Sequence, residues 1–275
     1  MIPDYGSFVQ TFHSACRAGD LPKVQETLGC RRRLKIADLS EALEIATYRA
    51  HADIVDALFA AGSRVSKMAI NCLPGNPNIQ QDPRIIRQFL DHGLDPNGSY
   101  SNGIPILVHM RDPASARELL LRGADPNRAD RRGVTPLTRA VDSEREPDAS
   151  RIEMLLAHGA KLYPGLLYNA AAPRVPQGEF MTRLLLEKGL DPDAPSIDWG
   201  TPLHLAIYSG KPNIVKLLLD AGADPTGKSA HPEYSALSPL QIARSLPSSE
   251  LRQAILDLLQ SRGIDIDEDG EEGAK

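Results

Sequence analysis

Thr201-Pro202-Leu203-His204-Leu205-Ala206 opens a phrase that closes sixteen residues past its alanine, at Gly222 in Leu217-Leu218-Leu219-Asp220-Ala221-Gly222-Ala223-Asp224-Pro225. Weaker copies of both halves run along the chain. Leu90-Asp91-His92-Gly93-Leu94-Asp95-Pro96-Asn97, Leu121-Arg122-Gly123-Ala124-Asp125-Pro126-Asn127 and Leu186-Glu187-Lys188-Gly189-Leu190-Asp191-Pro192-Asp193 repeat the second half. Gly62, Gly93, Gly123, Gly159, Gly189, Gly222 and Gly263 are spaced by 31, 30, 36, 30, 33 and 41 residues. A chain that repeats one small unit is built by stacking, because no unit buries its apolar face alone.

The chemistry of the phrase predicts local structure. Thr201 suits a helix N-cap, and Pro202 suits the first helical position, where no amide donor is needed. Thr135-Pro136-Leu137-Thr138-Arg139-Ala140 and Ser238-Pro239-Leu240-Gln241-Ile242-Ala243 are the next-best copies. Ile214, Val215, Leu217, Leu218 and Leu219 crowd one side of a second helix. The recurrent glycine ends that helix in a left-handed conformation. The Asp-Pro-Asn step then leads into a turn. Each unit thus reads as helix, short turn, helix, then an extended loop or hairpin.

On these residues the chain resembles the ankyrin repeat family, over roughly residues 8 to 266. The resemblance implies an all-α solenoid of about eight helix-turn-helix units with short hairpin or loop fingers. Ala15, Ala46, Asn71, His109, Ala140, Ala170, Ala206 and Ala243 mark the units at equivalent positions. Residues 1–266 are expected to form the repeat domain, and 267–275 an acidic disordered tail.

Bulk properties narrow the function. The net charge is −5 over 275 residues, so a broad electropositive nucleic-acid surface is not expected. Cys16, Cys30 and Cys72 have neither paired nor metal-like spacing, which fits a reducing compartment. The first residues resemble no signal peptide, and no stretch approaches the roughly 20 apolar residues of a membrane helix. The expectation is an intracellular chain, in the cytoplasm or the nucleus, with no membrane contact.

Reactive chemistry is sparse. No Gly-rich phosphate loop, His-Glu-x-x-His, Gly-x-Ser-x-Gly or Cys-x-x-Cys occurs. His204 resembles the structural histidine by which ankyrin units bridge one another. Asp95, Asp125, Asp191 and Asp224 share one repeat position, which marks them as turn residues rather than a catalytic pair. Arg31-Arg32-Arg33-Leu34-Lys35 reads as a solvated inter-unit turn, against a nuclear signal or an anion site. The expected enzyme status is none, with no catalytic residue, cofactor or metal. The alternative is an atypical enzyme or small-molecule binder using the long inter-helix turns near 73–83, 144–148 and 172–178. A closed pocket containing His109 would favour it.

The resemblance also implies a recognition face. In the family, first helices line a palm and hairpins form fingers. The palm positions here are Arg17, Ala18, Tyr48, Arg49, Met110, Arg111, Asp142, Ser143, Tyr208 and Ser209. Arg131 and Arg132 fall in one finger and Trp199, the single tryptophan, in another. Trp, Tyr and Arg dominate binding hot spots. The expected partner-binding residues are Trp199, Tyr208, Tyr48, Arg49, Arg111, Arg131 and Arg132. The expected partner is another protein rather than nucleic acid, bound by a monomeric, non-catalytic scaffold or adaptor.

Overall fold

The computed structural model describes residues 4–73, 78–143, 148–195, 200–228 and 237–266, and among them no strand longer than an isolated bridge, Ser99 with Pro105, occurs. Helices follow one another in twos, separated by turns and loops. The pairs are α1 (Tyr5–Ala18) with α2 (Leu21–Gly29), α3 (Ile36–Tyr48) with α4 (Ala52–Ala60), and α5 (Lys67–Asn71) with α6 (Pro83–Asp91). Then come α7 (Ile106–His109) with α8 (Pro113–Leu121), and α9 (Pro136–Ser143) with α10 (Ser150–Ala157). The last three are α11 (Gly165–Ala171) with α12 (Gly178–Glu187), α13 (Pro202–Tyr208) with α14 (Pro212–Asp220), and α15 (Pro239–Ser245) with α16 (Ser249–Gln260). This is the ankyrin solenoid pattern of eight units expected from the period.

Local chemistry explains these boundaries. Asp4, Asp20, Asp82 and Asp112 cap α1, α2, α6 and α8 through their carboxylates. Helices α6, α8, α9, α13, α14 and α15 begin on a proline, whose missing amide costs nothing there. All seven glycines of the recurrent phrase take positive φ, from 83 to 94. A Cβ added at any of them would meet nothing within 4 Å. Backbone conformation, not space, therefore demands glycine. After α14, Gly222 and Ala223 donate their N–H groups back to the carbonyls of Leu219 and Leu218, at 3.1 and 2.9 Å.

The chain divides into two compact bodies. The N-terminal body comprises Met1–Arg139 with Glu153–Ala160, and the C-terminal body Ala140–Ile152 with Lys161–Lys275. In the first, α1 packs on α3 and α3 on α5, while α2, α4, α6 and α8 pack in sequence. Phe12, Leu39, Leu43, Ile54, Leu58, Phe89 and Leu119 are fully buried there. In the second, Leu203, Ile207, Ile214, Val215, Leu218, Ile242, Ile255 and Leu259 form one core. Each such buried side chain contributes roughly 1.5–3 kcal/mol.

The marker alanines explain why the helices approach so closely. Ala15, Ala46, Ala140, Ala170, Ala206 and Ala243 are all buried. The two units that lack alanine have short inner helices: α5 ends on Asn71 and α7 on His109. Asn71 and His109 are half-buried at the last position of these short helices. In the fourth unit, Met110 leaves the helix in extended backbone and is fully buried. Its sequence-based placement on the palm is thereby corrected.

Candidate functional site

His204 shows how one unit is fastened to the next. Its Nε2 lies 3.1 Å from the carbonyl of Gly227, and its Nδ1 lies 2.8 Å from Thr201 Oγ1 and 3.3 Å from Thr201 N. One tautomer satisfies all three: Nε2–H donates to the carbonyl while Nδ1 accepts from Thr201. Burial pushes the pKa of His204 down, against the raising effect of the Gly227 carbonyl, so the ring is neutral at pH 7. It is a positioning group that ties the start of α13 to the loop after α14.

The fingers are stitched in the same spirit. Asp95, Asp125, Asp191 and Asp224 each accept the N–H of the residue two further on, at 2.8 to 2.9 Å. These are the turn residues expected from the repeat. Asn97 and Asn127 then reach the next unit, donating to the carbonyls of Gly123 and Gly159 at 3.0 and 2.9 Å. Asp193 holds the Asn position in its own unit and accepts the N–H of Asp224 at 2.8 Å. This stitching role of the third residue of Asp-Pro-Asn escaped the sequence reading. Its signal was present, because the position recurs with a short polar side chain in Asn97, Asn127 and Asp193.

Tyr48 is the last residue of α3 and Tyr208 the last of α13, both two residues beyond a buried alanine. They are 42% and 46% exposed. Arg49 is the half-buried C-cap of α3. Arg111 is exposed between α7 and α8. Arg131 and Arg132 are exposed at a turn held by Asp130, whose carboxylate accepts the N–H groups of Arg132 and Val134 at 2.8 and 3.0 Å. The Arg131 guanidinium lies against the preceding finger, where a Cβ on Gly103 would stand 3.3 Å from its Nε. Trp199 lies outside the described residues, as does the insertion at 144–147. Tyr48, Arg49, Arg111, Arg131 and Arg132 belong to the N-terminal body and Tyr208 to the C-terminal one.

Part of the basic run at 31–35 is engaged within the molecule, while Arg32 and Lys35 stay exposed. Arg31 donates from Nε to the carbonyl of Ala61 at 3.2 Å and from Nη1 to that of Leu34 at 2.8 Å. Arg33 covers the ring of Phe8 at 4.1 Å, and Lys35 that of Tyr5 at 4.5 Å. The sequence reading did not register Ile36 and Met68, exposed by 76% and 58% in the first turns of α3 and α5. Their apolar character alone predicts burial.

The long turn of the sixth unit borders an open cleft of about 390 Å³, lined by Pro173, Val175, Pro176, Lys211, Pro212 and Ile214. Its polar groups are engaged with one another. Lys211 donates to the Ala172 carbonyl at 2.5 Å, and Asn213 to Glu179 at 3.0 Å. Burial pushes the Lys211 pKa down. His51 occupies the same repeat position in the second unit, with its Nε2 3.3 Å from the Arg17 carbonyl. The lysine is thus a stitch between units. His109 is half-buried, its ring edge-on to that of Tyr100 with centroids 5.5 Å apart. Among the described residues no three His, Cys, Asp or Glu side chains gather as a metal site, and no helix is long and apolar enough to cross a membrane.

Comparisons with known proteins agree with this architecture. A family model described as ankyrin repeats (many copies) matches residues 168–219. The chain is 28% identical over 141 residues to protein fem-1 homolog A of Bos taurus, covering 49% of this chain and 18% of that protein. It is 33% identical over 98 residues to the Homo sapiens protein of the same name, covering 34% and 14%. A shorter stretch of 42 residues is 57% identical to the 2-5A-dependent ribonuclease of Mus musculus, covering 15% and 6%. The chain therefore spans less than a fifth of the length of these relatives. Among solved structures, the human ASB11 ankyrin repeat domain superposes with a TM-score of 0.51 at 21% identity, over 90% of this chain and 96% of that one. Ankyrin repeats are in general protein-interaction modules, and the fold is typically non-catalytic.

Proposed function

From the premise that the chain is an ankyrin-repeat protein, we propose that it is a non-catalytic scaffold or adaptor that grips another protein. The grip is made by the exposed ends of its inner helices and by its fingers. Tyr48, Arg49, Arg111, Arg131, Arg132 and Tyr208 are the contacting residues, with Trp199 in the finger before Gly200. The observation that carries this reading is the pair Tyr48 and Tyr208. Both are large amphipathic side chains, 42% and 46% exposed at one repeat position on the ends of packed helices. Rigid aromatic side chains on a preformed scaffold lose little entropy on binding. The reading has the protein working in the cytoplasm or the nucleus, as a monomer, without cofactor and without nucleic acid or membrane as its target. Its three cysteines are free.

The second reading, a small-molecule binder, rests on the cleft of about 390 Å³ at the sixth unit. That volume lies in the range of ligand pockets. The cleft is open, however, and its lysine and asparagine are already satisfied by Ala172 and Glu179. The scaffold reading is therefore preferred. Affinity purification with quantitative mass spectrometry tests it, comparing the native chain with a Tyr48→Ala, Tyr208→Ala variant. The partner set should be depleted in the variant. An unchanged set from a folded variant would contradict the assignment of these residues.

A further inference from the structure

Two consecutive fingers carry a charge opposite to that of the whole chain. Residues 30–38 and 61–68 hold six cations, Arg31, Arg32, Arg33, Lys35, Arg64 and Lys67, against the single carboxylate of Asp38, in a chain of net charge −5. That carboxylate is already engaged. Its Oδ2 accepts from the Tyr5 hydroxyl and from the Lys35 N–H, both at 2.6 Å. Arg31 joins the two fingers through the Ala61 carbonyl. Arg32, Lys35, Arg64 and Lys67 remain exposed.

Exposed apolar side chains stand near these cations at the starts of the inner helices. Tyr5, Ile36 and Met68 lie in the first turns of α1, α3 and α5, exposed by 40%, 76% and 58%. A single exposed apolar residue means little, but a row of them rimmed by charge marks an interaction surface. The rings beside this row already carry a cation over one face. Lys35 covers Tyr5 and Arg33 covers Phe8. Single-stranded nucleic acids need open aromatic faces on which bases can stack. Ile36 and Met68 offer aliphatic and thioether contact instead, which suits bulky protein side chains.

We propose that the row Arg32, Lys35, Ile36, Arg64, Lys67 and Met68 docks an acidic segment of a partner protein that carries bulky apolar side chains between its carboxylates. The cations select the segment's charge and speed its arrival. Ile36 and Met68 select its apolar residues, and Met68 adapts its shape to them. This surface shares no residue with the Tyr48 and Tyr208 positions and extends the protein-binding reading to a partner of defined chemistry.

Selection of short random peptides displayed on phage against the full chain tests the proposal. Enriched peptides should be net acidic and contain Leu, Ile, Met or Phe. A synthetic copy of the leading peptide, followed by fluorescence polarisation, should bind about tenfold more weakly or worse to Arg32→Glu, Lys67→Glu, and likewise to Ile36→Ser, Met68→Ser. All the substituted residues are exposed, and circular dichroism melts check the folding of both variants. Binding should weaken in high salt and be unchanged by Tyr208→Ala. The proposal is overturned if no peptide is enriched, or if the enriched peptides are neutral or basic. It is equally overturned if replacing the peptide's apolar residues by serine leaves affinity intact. A short single-stranded RNA that binds more tightly than the peptide, and is lost in the charge variant, reassigns the surface to nucleic acid. Peptides lost only on Tyr208→Ala leave the proposed function standing and remove this one.

Discussion

His204 illustrates how a residue that invites a catalytic reading is better understood as a fastener. Replacing it by alanine strands the Gly227 carbonyl and the Thr201 amide, which should cost about 1–3 kcal/mol in urea unfolding. The pH dependence follows from its depressed pKa. Above the unfolded value near 6.5 both states are neutral, and the contribution of His204 is complete. As pH falls below 6.5, the unfolded chain takes up the proton first, so stability declines until the lower folded pKa is reached. A His204→Gln variant should therefore lose less stability than the native chain between about pH 7.5 and about pH 5.5. Equal losses would rule out this role. Ala50 makes a second residue-scale case. It takes φ 58 where the equivalent turns have Gly19 and Gly210, at 78 and 61. Ala50→Gly should raise stability by about 1 kcal/mol, read as a higher melting temperature.

At the scale of the helix, packing rather than propensity sets the length of each element. Ala206 sits wholly buried under its neighbours, so Ala206→Leu should cost about 1–3 kcal/mol by overpacking. A neutral result would show that the inner helices are not close-packed at their alanines. The outer helices are joined by ion pairs one repeat apart: Asp53 with Arg84, Arg87 with Glu118, and Asp91 with Arg122 in the N-terminal body. Arg262 pairs with Asp220 in the C-terminal body. These side chains are mostly half-exposed, so solvent screens them. Glu118→Gln should cost less than about 1 kcal/mol, and less still in high salt. The helix pairs were legible because the Thr-Pro-Leu and Leu-x-x-Gly phrases each carry their own capping chemistry. The shortness of α5 and α7 was not, because no capping or breaking residue at Asn71 or His109 announces it. Tyr48 and Tyr208 were legible as exposed positions from their offset to a buried alanine. Ile36 and Met68 were not, since hydropathy assigns them inward and only the three-dimensional position of a first turn turns them out.

For the molecule as a whole, each body is held by repeated local burial, with the same small set of contacts recurring from unit to unit. Such a framework has few reasons to move on binding. The division of labour is visible in the charges. His204, Asn97, Asn127, Lys211 and the capping aspartates serve stitches and turns, while Tyr48, Tyr208, Arg111, Arg131 and Arg132 are exposed. Hydrogen–deuterium exchange of the chain alone and with a captured partner tests the central claim most directly. The account predicts new protection at the C-terminal ends of α3 and α13 and in the finger at 128–135, with the outer helices unchanged. Protection confined to the outer helices, or to the cleft at the sixth unit, would contradict it.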